Sequence, residues 1–233
     1  MLMGLGKAPA AGGGAAVPVL AWYTSDYVAS GSTSLTTSKG ANAIASGDLL
    51  VLISGIVDSS ATNHSMTCPT GFIGFAWSPD YESNTNSGAN TMGCWKIAGG
   101  SETGAYVANW TTTNSLYITW ALLDITGANA SPIDDTGLTR AGSAVDTTSV
   151  VAPTVSASGS NRLHLSCGLI SGSGNNIYSG YPAGYTQAVD ASFLTVLKIA
   201  CAKKTVGSGS TGPTTWTATS VGHGAGVSIL IKP

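Results

Sequence analysis

Histidine, the side chain whose ordinary pKa suits it best to proton transfer and metal binding near neutral pH, occurs three times, as His64, His164 and His223. The contexts are unrelated: a polar stretch, the outward position of an apolar alternation, and a run of glycines. None has the H-x-H, H-x-x-x-H or H-E-x-x-H spacing that would put two imidazoles on one cation, so no metal ligands are expected. Glycoside hydrolysis would need two carboxyl groups facing each other across a cleft. Asp134 and Asp135 are adjacent and point to opposite sides of a strand, Asp80 and Glu82 lie in a loop-like stretch, and Asp48 and Asp124 fall at strand ends, where turn and hydrogen-bonding roles are commoner. Gly207 to Gly212 spells G-x-G-x-x-G, but Pro213 and a strand follow it where a dinucleotide site needs a helix. With no G-x-S-x-G elbow either, the expectation is no catalytic residue and no cofactor.

Sugar recognition asks for a different chemistry, flat aromatic faces beside hydrogen-bonding side chains. Trp95, Trp110, Trp120 and Trp216 sit within strand patterns and read as core. Trp77, Tyr81, Tyr178 and Tyr181 flank polar loops and are the candidate carbohydrate or receptor contacts. The four cysteines, Cys68, Cys94, Cys167 and Cys201, lack any C-x-x-C pair, which argues against a zinc cluster. Cys167 alternates in phase with Leu163, Leu165 and Leu169 and reads as a buried free thiol, with a disulfide left open.

The elements that must position such residues are strands. The 233 residues include 30 Ser, 28 Thr and 31 Gly but only two Glu and one Gln, a composition that starves helices and suits strands and turns. Only 9% of residues are charged and the net charge is −2, which excludes binding nucleic acid or an anionic membrane by electrostatics. No apolar run is long enough to span a bilayer. Residues 1–16, rich in Gly and Ala and carrying one charge, are expected to form a flexible arm that attaches the protein to an assembly, with Leu5, Lys7 and Pro9 as its contact residues.

A search for internal repeats organises the rest. Gly47-Asp48-Leu49-Leu50-Val51-Leu52 returns as Ser160-Asn161-Arg162-Leu163-His164-Leu165, a shift of 113, and Pro69-Thr70-Gly71-Phe72 returns at the same shift as Pro182-Ala183-Gly184-Tyr185. Trp95-Lys96-Ile97-Ala98 matches Leu197-Lys198-Ile199-Ala200, Trp110-Thr111 matches Trp216-Thr217, and Ala121 to Ile125 matches Val227 to Ile231. The matches divide the chain into the arm, a first repeat over 17–130 and a second over 131–233. About five strands are expected in each, with one face buried and the other left to Ser and Thr. The expected fold is all-β: an antiparallel, jelly-roll-like β-sandwich built from two pseudo-repeats.

The order G-D-L-L-V-L, P-x-G-F/Y, W-K-I-A, a strand with Trp-Thr and a final A-L-L-D-I, repeated, resembles the β-sandwich virion structural proteins of tailed bacteriophages, of tail-fibre, minor tail or head-exterior type. The resemblance runs from Ala43 onward and rests on core and turn residues, so it carries over no site residue. It implies a non-enzymatic structural protein on the surface of the phage particle, of tail-fibre or tail-tip type. The expected partners are other virion proteins of tail or capsid, further copies of the same chain, and a host-surface glycan. Capsid decoration on the head exterior and a free carbohydrate-binding module or lectin are the alternative readings.

Overall fold

A computed structural model describes residues 15–29, 31–58, 64–75, 88–111, 115–141, 147–171, 178–193 and 197–233, and every regular element among them is a strand. In the first part of the chain these are β1 (Val19–Val28), β2 (Ser34–Thr36), β3 (Leu49–Asp58), β4 (Met66–Thr67), β5 (Ile73–Gly74), β6 (Gly88–Ile97), β7 (Val107–Trp110) and β8 (Ser115–Thr126). The second part contains β9 (Ile133–Ala141), β10 (Thr147–Ala152), β11 (Ser156–Ala157), β12 (Arg162–Ser171) and β13 (Tyr178–Gly180). It ends with β14 (Thr186–Phe193), β15 (Leu197–Val206), β16 (Gly209–Ser210) and β17 (Thr214–Ile231).

The strands sort into four antiparallel sheets. One has the order β1-β8-β3-β6-β5 and a second the order β10-β17-β12-β15-β14, with β9 and β13 also on β17; β2-β7-β4 and β11-β16 form the two small ones. Strand β17 serves two neighbourhoods, its later residues lying between β12 and β9 and its earlier ones between β10 and β13. Sequence patterning alone reads it as two strands, Thr214–Ala218 and Gly226–Ile231, where the structure has one.

The jelly-roll-like sandwich expected from the strand count does not form: the strands belong to four separate sheets, and neither large sheet closes on itself. The physical reason lies in the central strands. Leu49-Leu50-Val51-Leu52-Ile53 of β3 is apolar at consecutive positions, which marks a strand buried on both faces. Leu49, Val51, Ile53 and Val57 pack with Leu163, Leu165, Leu169, Val227 and Ile229 of the other large sheet. Leu50, Leu52 and Ile56 pack the opposite way, with Leu35, Ala108 and Trp110 of the β2-β7-β4 sheet. On β12 the second face, including Ile170, is covered by Val150, Trp216 and Ala218. The face left by sequence to solvated hydroxyls is therefore covered in both sheets: Ser166, on the outward face of β12, is fully buried, as is Ser54 on the face of β3 that carries Leu50 and Leu52.

The pseudo-repeat matches also need correction in register. A shift of 113 equates Leu50 with Leu163, yet these two residues belong to different cores. In a strand an odd slip exchanges the faces, so only an even shift preserves them. With a shift of 112, Ser54 corresponds to Ser166, and these two play one part: Trp110 Nε1–H donates to Ser54 Oγ at 3.2 Å and Trp216 Nε1–H to Ser166 Oγ at 3.1 Å. The W-K-I-A match fails similarly, because Lys96 lies opposite Leu50 at one end of its strand pair while Lys198 lies opposite Ile170 at the other.

Cys167 is buried as expected but is not free. It faces Cys201 across β12 and β15, with Cα atoms 4.0 Å apart, and the two are joined in a disulfide. Cys68 and Cys94 remain thiols.

Glycines on β17 permit close approaches, Gly222 to the Ser171 carbonyl and Gly226 to Val151. A Cβ on Gly226 would collide with the Val151 carbonyl and the amide nitrogen of Ala152, backbone atoms that cannot swing aside. Gly226→Ala is expected to destabilise the fold by about 1–3 kcal/mol, the usual range for an overpacked site. Gly207→Ala, where a Cβ meets nothing, is expected to be near neutral by the same urea titration.

Candidate functional site

Trp216, Tyr178, Tyr181 and Tyr185 gather on the outer face of β12 and β15. Trp216 is fully buried at their centre, with the Tyr178 ring 5.1 Å and the Tyr181 ring 5.5 Å from it. Tyr178 places its hydroxyl in the protein interior without a hydrogen-bond partner among the described residues, and burial raises its pKa well above the usual phenol value. The Tyr181 hydroxyl reaches Asp190 Oδ2 at 3.4 Å; burial first, then the Asp190 charge, pushes it up to about 12. These two sequence candidates are thus brought together by Trp216. Trp77 and Tyr81, and the arm residues Leu5, Lys7 and Pro9, lie outside the described residues.

Beside this cluster opens a cleft of about 390 Å³ lined by residues including Pro182, Tyr185, Lys204, Thr211, Pro213 and Thr214. Tyr185 is set by a turn closed by its own N–H on the Pro182 carbonyl at 3.1 Å, and Gly184 in that turn has φ of 79°, a left-handed conformation cheap only for glycine. Lys204 Nζ stands 5.4 Å from the Tyr185 ring centroid, a cation–π contact. Beneath the ring, the fully buried His164 shares a 2.6 Å hydrogen bond between Nδ1 and the Tyr185 hydroxyl, and its Nε2 has no partner among the described residues. Burial first, then the Lys204 charge, lowers the imidazole to about 4, so His164 is neutral near pH 7. Sequence patterning places it on a solvated face; the Tyr185 ring is what covers it.

A related turn exists in the first part of the chain but is filled. Phe72 N–H closes on the Pro69 carbonyl at 3.0 Å, and Lys96 Nζ stands 5.7 Å from the Phe72 ring centroid. Here Glu102 Oε1 lies 2.6 Å from Lys96 Nζ, the Tyr106 hydroxyl donates to Glu102 Oε2 at 2.7 Å, and the Gly99 N–H donates at 2.8 Å. Burial pushes this carboxyl up, but the hydrogen bonds from Lys96, Gly99 and Tyr106 outweigh it and hold Glu102 at about 2.

Asp134, Asp135 and Asp48 hold backbone. Asp134 accepts from Ser158 N–H at 2.8 Å and Arg162 Nε–H at 2.8 Å; burial opposes, yet these bonds keep it below the usual range. Asp135 accepts from Ser156 N–H at 2.7 Å, and Asp48 from Ala45 N–H at 2.8 Å. Asp124 is fully buried, and burial first, then the charge of Asp48, pushes it up to about 7. Sequence patterning treats Asp48 and Asp124 as separate strand ends and misses that β3 and β8 bring them together. Gly209-Ser210 of the G-x-G-x-x-G stretch pairs with Ser156-Ala157 as β16. Among the described residues, no three His, Cys, Asp or Glu side chains cluster as metal ligands.

The sequence offers one signal for the cleft, the recurrence of P-x-G-F/Y, but pairs Lys96 with Lys198. The structure pairs it in role with Lys204, whose ammonium approaches the Tyr185 ring as that of Lys96 approaches the Phe72 ring. Fold and site together describe an all-β protein of open sheets sharing apolar cores, with an aromatic, singly cationic cleft on one outer face. Comparison with protein-family models, with curated proteins and with solved structures finds no match.

Proposed function

We propose that this chain is a non-catalytic structural protein displayed on the surface of a tailed-phage particle, of tail-fibre or tail-tip type, that meets a glycan of the host surface and assembles as a homo-oligomer. The observation that carries the reading is the use of its polar groups. Asp48, Asp134, Asp135 and Glu102 are engaged in backbone or ion-pair contacts that hold strands and turns, as a rigid part requires. Outward positions such as Thr215, Thr217 and Thr219 on β17 present hydroxyls in place of charge. A surface so poor in charge suits residence within an assembly better than life as a free monomer, and the resemblance in core and turn residues names the assembly.

Deletion of residues 1–16 tests the reading. The truncated protein is expected to keep its β-sheet circular dichroism yet to be absent from purified particles, where the full chain is found by mass spectrometry. Gold-labelled antibody is expected on the tail. Label confined to the head would reassign the protein to capsid decoration, and absence of the full chain from particles would overturn the proposal.

A further inference from the structure

Two turns of the same build have been given different contents. In each, an aromatic closes a Pro-x-Gly turn and a lysine from the neighbouring strand approaches its ring: Lys96 with Phe72, Lys204 with Tyr185. Six and ten residues after Lys96 come Glu102 and Tyr106; six and ten after Lys204 come Ser210 and Thr214. In the first turn, the Glu102 carboxylate neutralises Lys96, and the Tyr106 ring lies 4.9 Å from that of Phe72, edge to face. In the second, no carboxylate among the described residues pairs with Lys204, and the cleft opens between Tyr185, Lys204 and Thr214.

We propose that this cleft binds a ring-bearing carboxylate, a hexuronate residue of an acidic polysaccharide, with Lys204 holding the carboxylate and Tyr185 stacking on the pyranose face. The first turn shows what completes such a site: one carboxylate on the lysine and one ring against the aromatic. The cleft supplies what a sugar needs beyond that. Thr215, exposed on its wall, offers a hydroxyl that can both donate and accept, while Thr211 and Thr214 spend theirs on Val155, Gly212 and Ser166, and Pro182 and Pro213 give it apolar edges. Its volume falls in the range of small-ligand pockets. A neutral His164 leaves Lys204 as the cation of the cleft near pH 7. The inference deepens the glycan-contact part of the reading above by naming the sugar class and a contact region beyond the loop aromatics.

Calorimetric titration of the purified full chain with trigalacturonate tests it. Saturable binding is expected, at least tenfold weaker for the methyl ester of the same trisaccharide and at least tenfold weaker for Lys204→Met. Ser210→Glu, which returns a carboxylate to the offset that Glu102 occupies after Lys96, is expected to weaken binding to a similar degree by competing for Lys204. Both substitutions fall at exposed positions, and unchanged thermal unfolding is the control. Equal binding of the ester, undiminished binding by Lys204→Met, equal binding of a short oligoglutamate peptide, or no saturable binding would each overturn the proposal. Because the assay uses isolated protein, its failure is distinct from failure of the particle assignment, which the deletion experiment reads.

Discussion

Replacing Trp216 with alanine is expected to cost about 3–5 kcal/mol of folding stability, the range seen when a large aromatic is removed from a packed core. The site has little means of collapsing. Trp216 is fully buried among Val150, Ile170, Ala200, Ala202 and Ala218, and the Tyr178 and Tyr181 rings rest on it. Beneath it lies Gly168, which has no side chain to move into the space. Trp216→Phe separates packing from polarity. It keeps most of the ring but removes the indole N–H from Ser166 Oγ, which retains its 2.6 Å bond with Thr214 Oγ1. A loss of about 1 kcal/mol is expected for that variant, near the net worth of one hydrogen bond. Denaturant unfolding measures both, and a Trp216→Ala loss below about 1 kcal/mol would contradict the packing described. Against a typical total of about 5–15 kcal/mol, the alanine variant approaches the limit of a folded domain.

The second large effect is a dependence of stability on pH that resides in Asp124. Its carboxyl is raised to about 7 in the folded chain, against about 3.9 for an unfolded aspartate. The folded state therefore holds the proton more tightly than the unfolded one. The stabilising contribution of the protonated form is complete below about pH 4 and is lost as pH rises through about 7. Asp124→Asn removes the ionisation while keeping the shape. It is expected to stabilise the protein by about 2–4 kcal/mol at pH 8 and hardly at all at pH 4, since each tenfold difference in proton affinity between folded and unfolded chain is worth about 1.4 kcal/mol. His164 works in the opposite direction. Its imidazole is lowered to about 4, so its contribution is complete above about pH 6.5 and is lost as pH falls toward 4. Between these limits the two slopes oppose each other in the native sequence. In Asp124→Asn only the acid side remains, and urea midpoints at pH 4.5, 6 and 8 should rise with pH. A stability difference between the two proteins that stayed constant across that range would exclude Asp124 as its source.

Much of the local structure can be read directly from the chain. Leu49–Ile56, Thr91–Ala98, Leu116–Ile125 and Arg162–Ile170 read as strands, and β3, β6, β8 and β12 occupy those stretches, because alternation, β-branching and turn residues act over a few residues. Strand β9 is harder to bound: Asp134 and Asp135 read as neighbours on a strand, but Ile133-Asp134-Asp135-Thr136-Gly137 lacks apolar alternation and is held by its pairing with β17 and by Asp134 on Ser158 and Asp135 on Ser156. Of the four tryptophans read as core, Trp110, Trp120 and Trp216 are buried, while Trp95 is only partly buried against the core between the large sheets. The cleft is not, since His164, Tyr185 and Lys204 come from a strand, a turn and the next strand, and no short motif links them.

By itself, then, the sequence determined an all-β chain, its principal strands and its scarcity of charge, since these follow from backbone preference and composition. Tertiary structure decided which faces are covered, which cysteines are joined, which carboxylates meet and which lysine is left facing a cleft. All four depend on register between strands far apart in the chain, where a slip of one residue turns every side chain to the opposite face. The uncharged hydroxyl face read for β3 and β12 became a second core for that reason. Lys204, passed over in sequence for Lys198, became the cation of a cleft because its strand places it opposite His164, beside a ring that no carboxylate among the described residues accompanies.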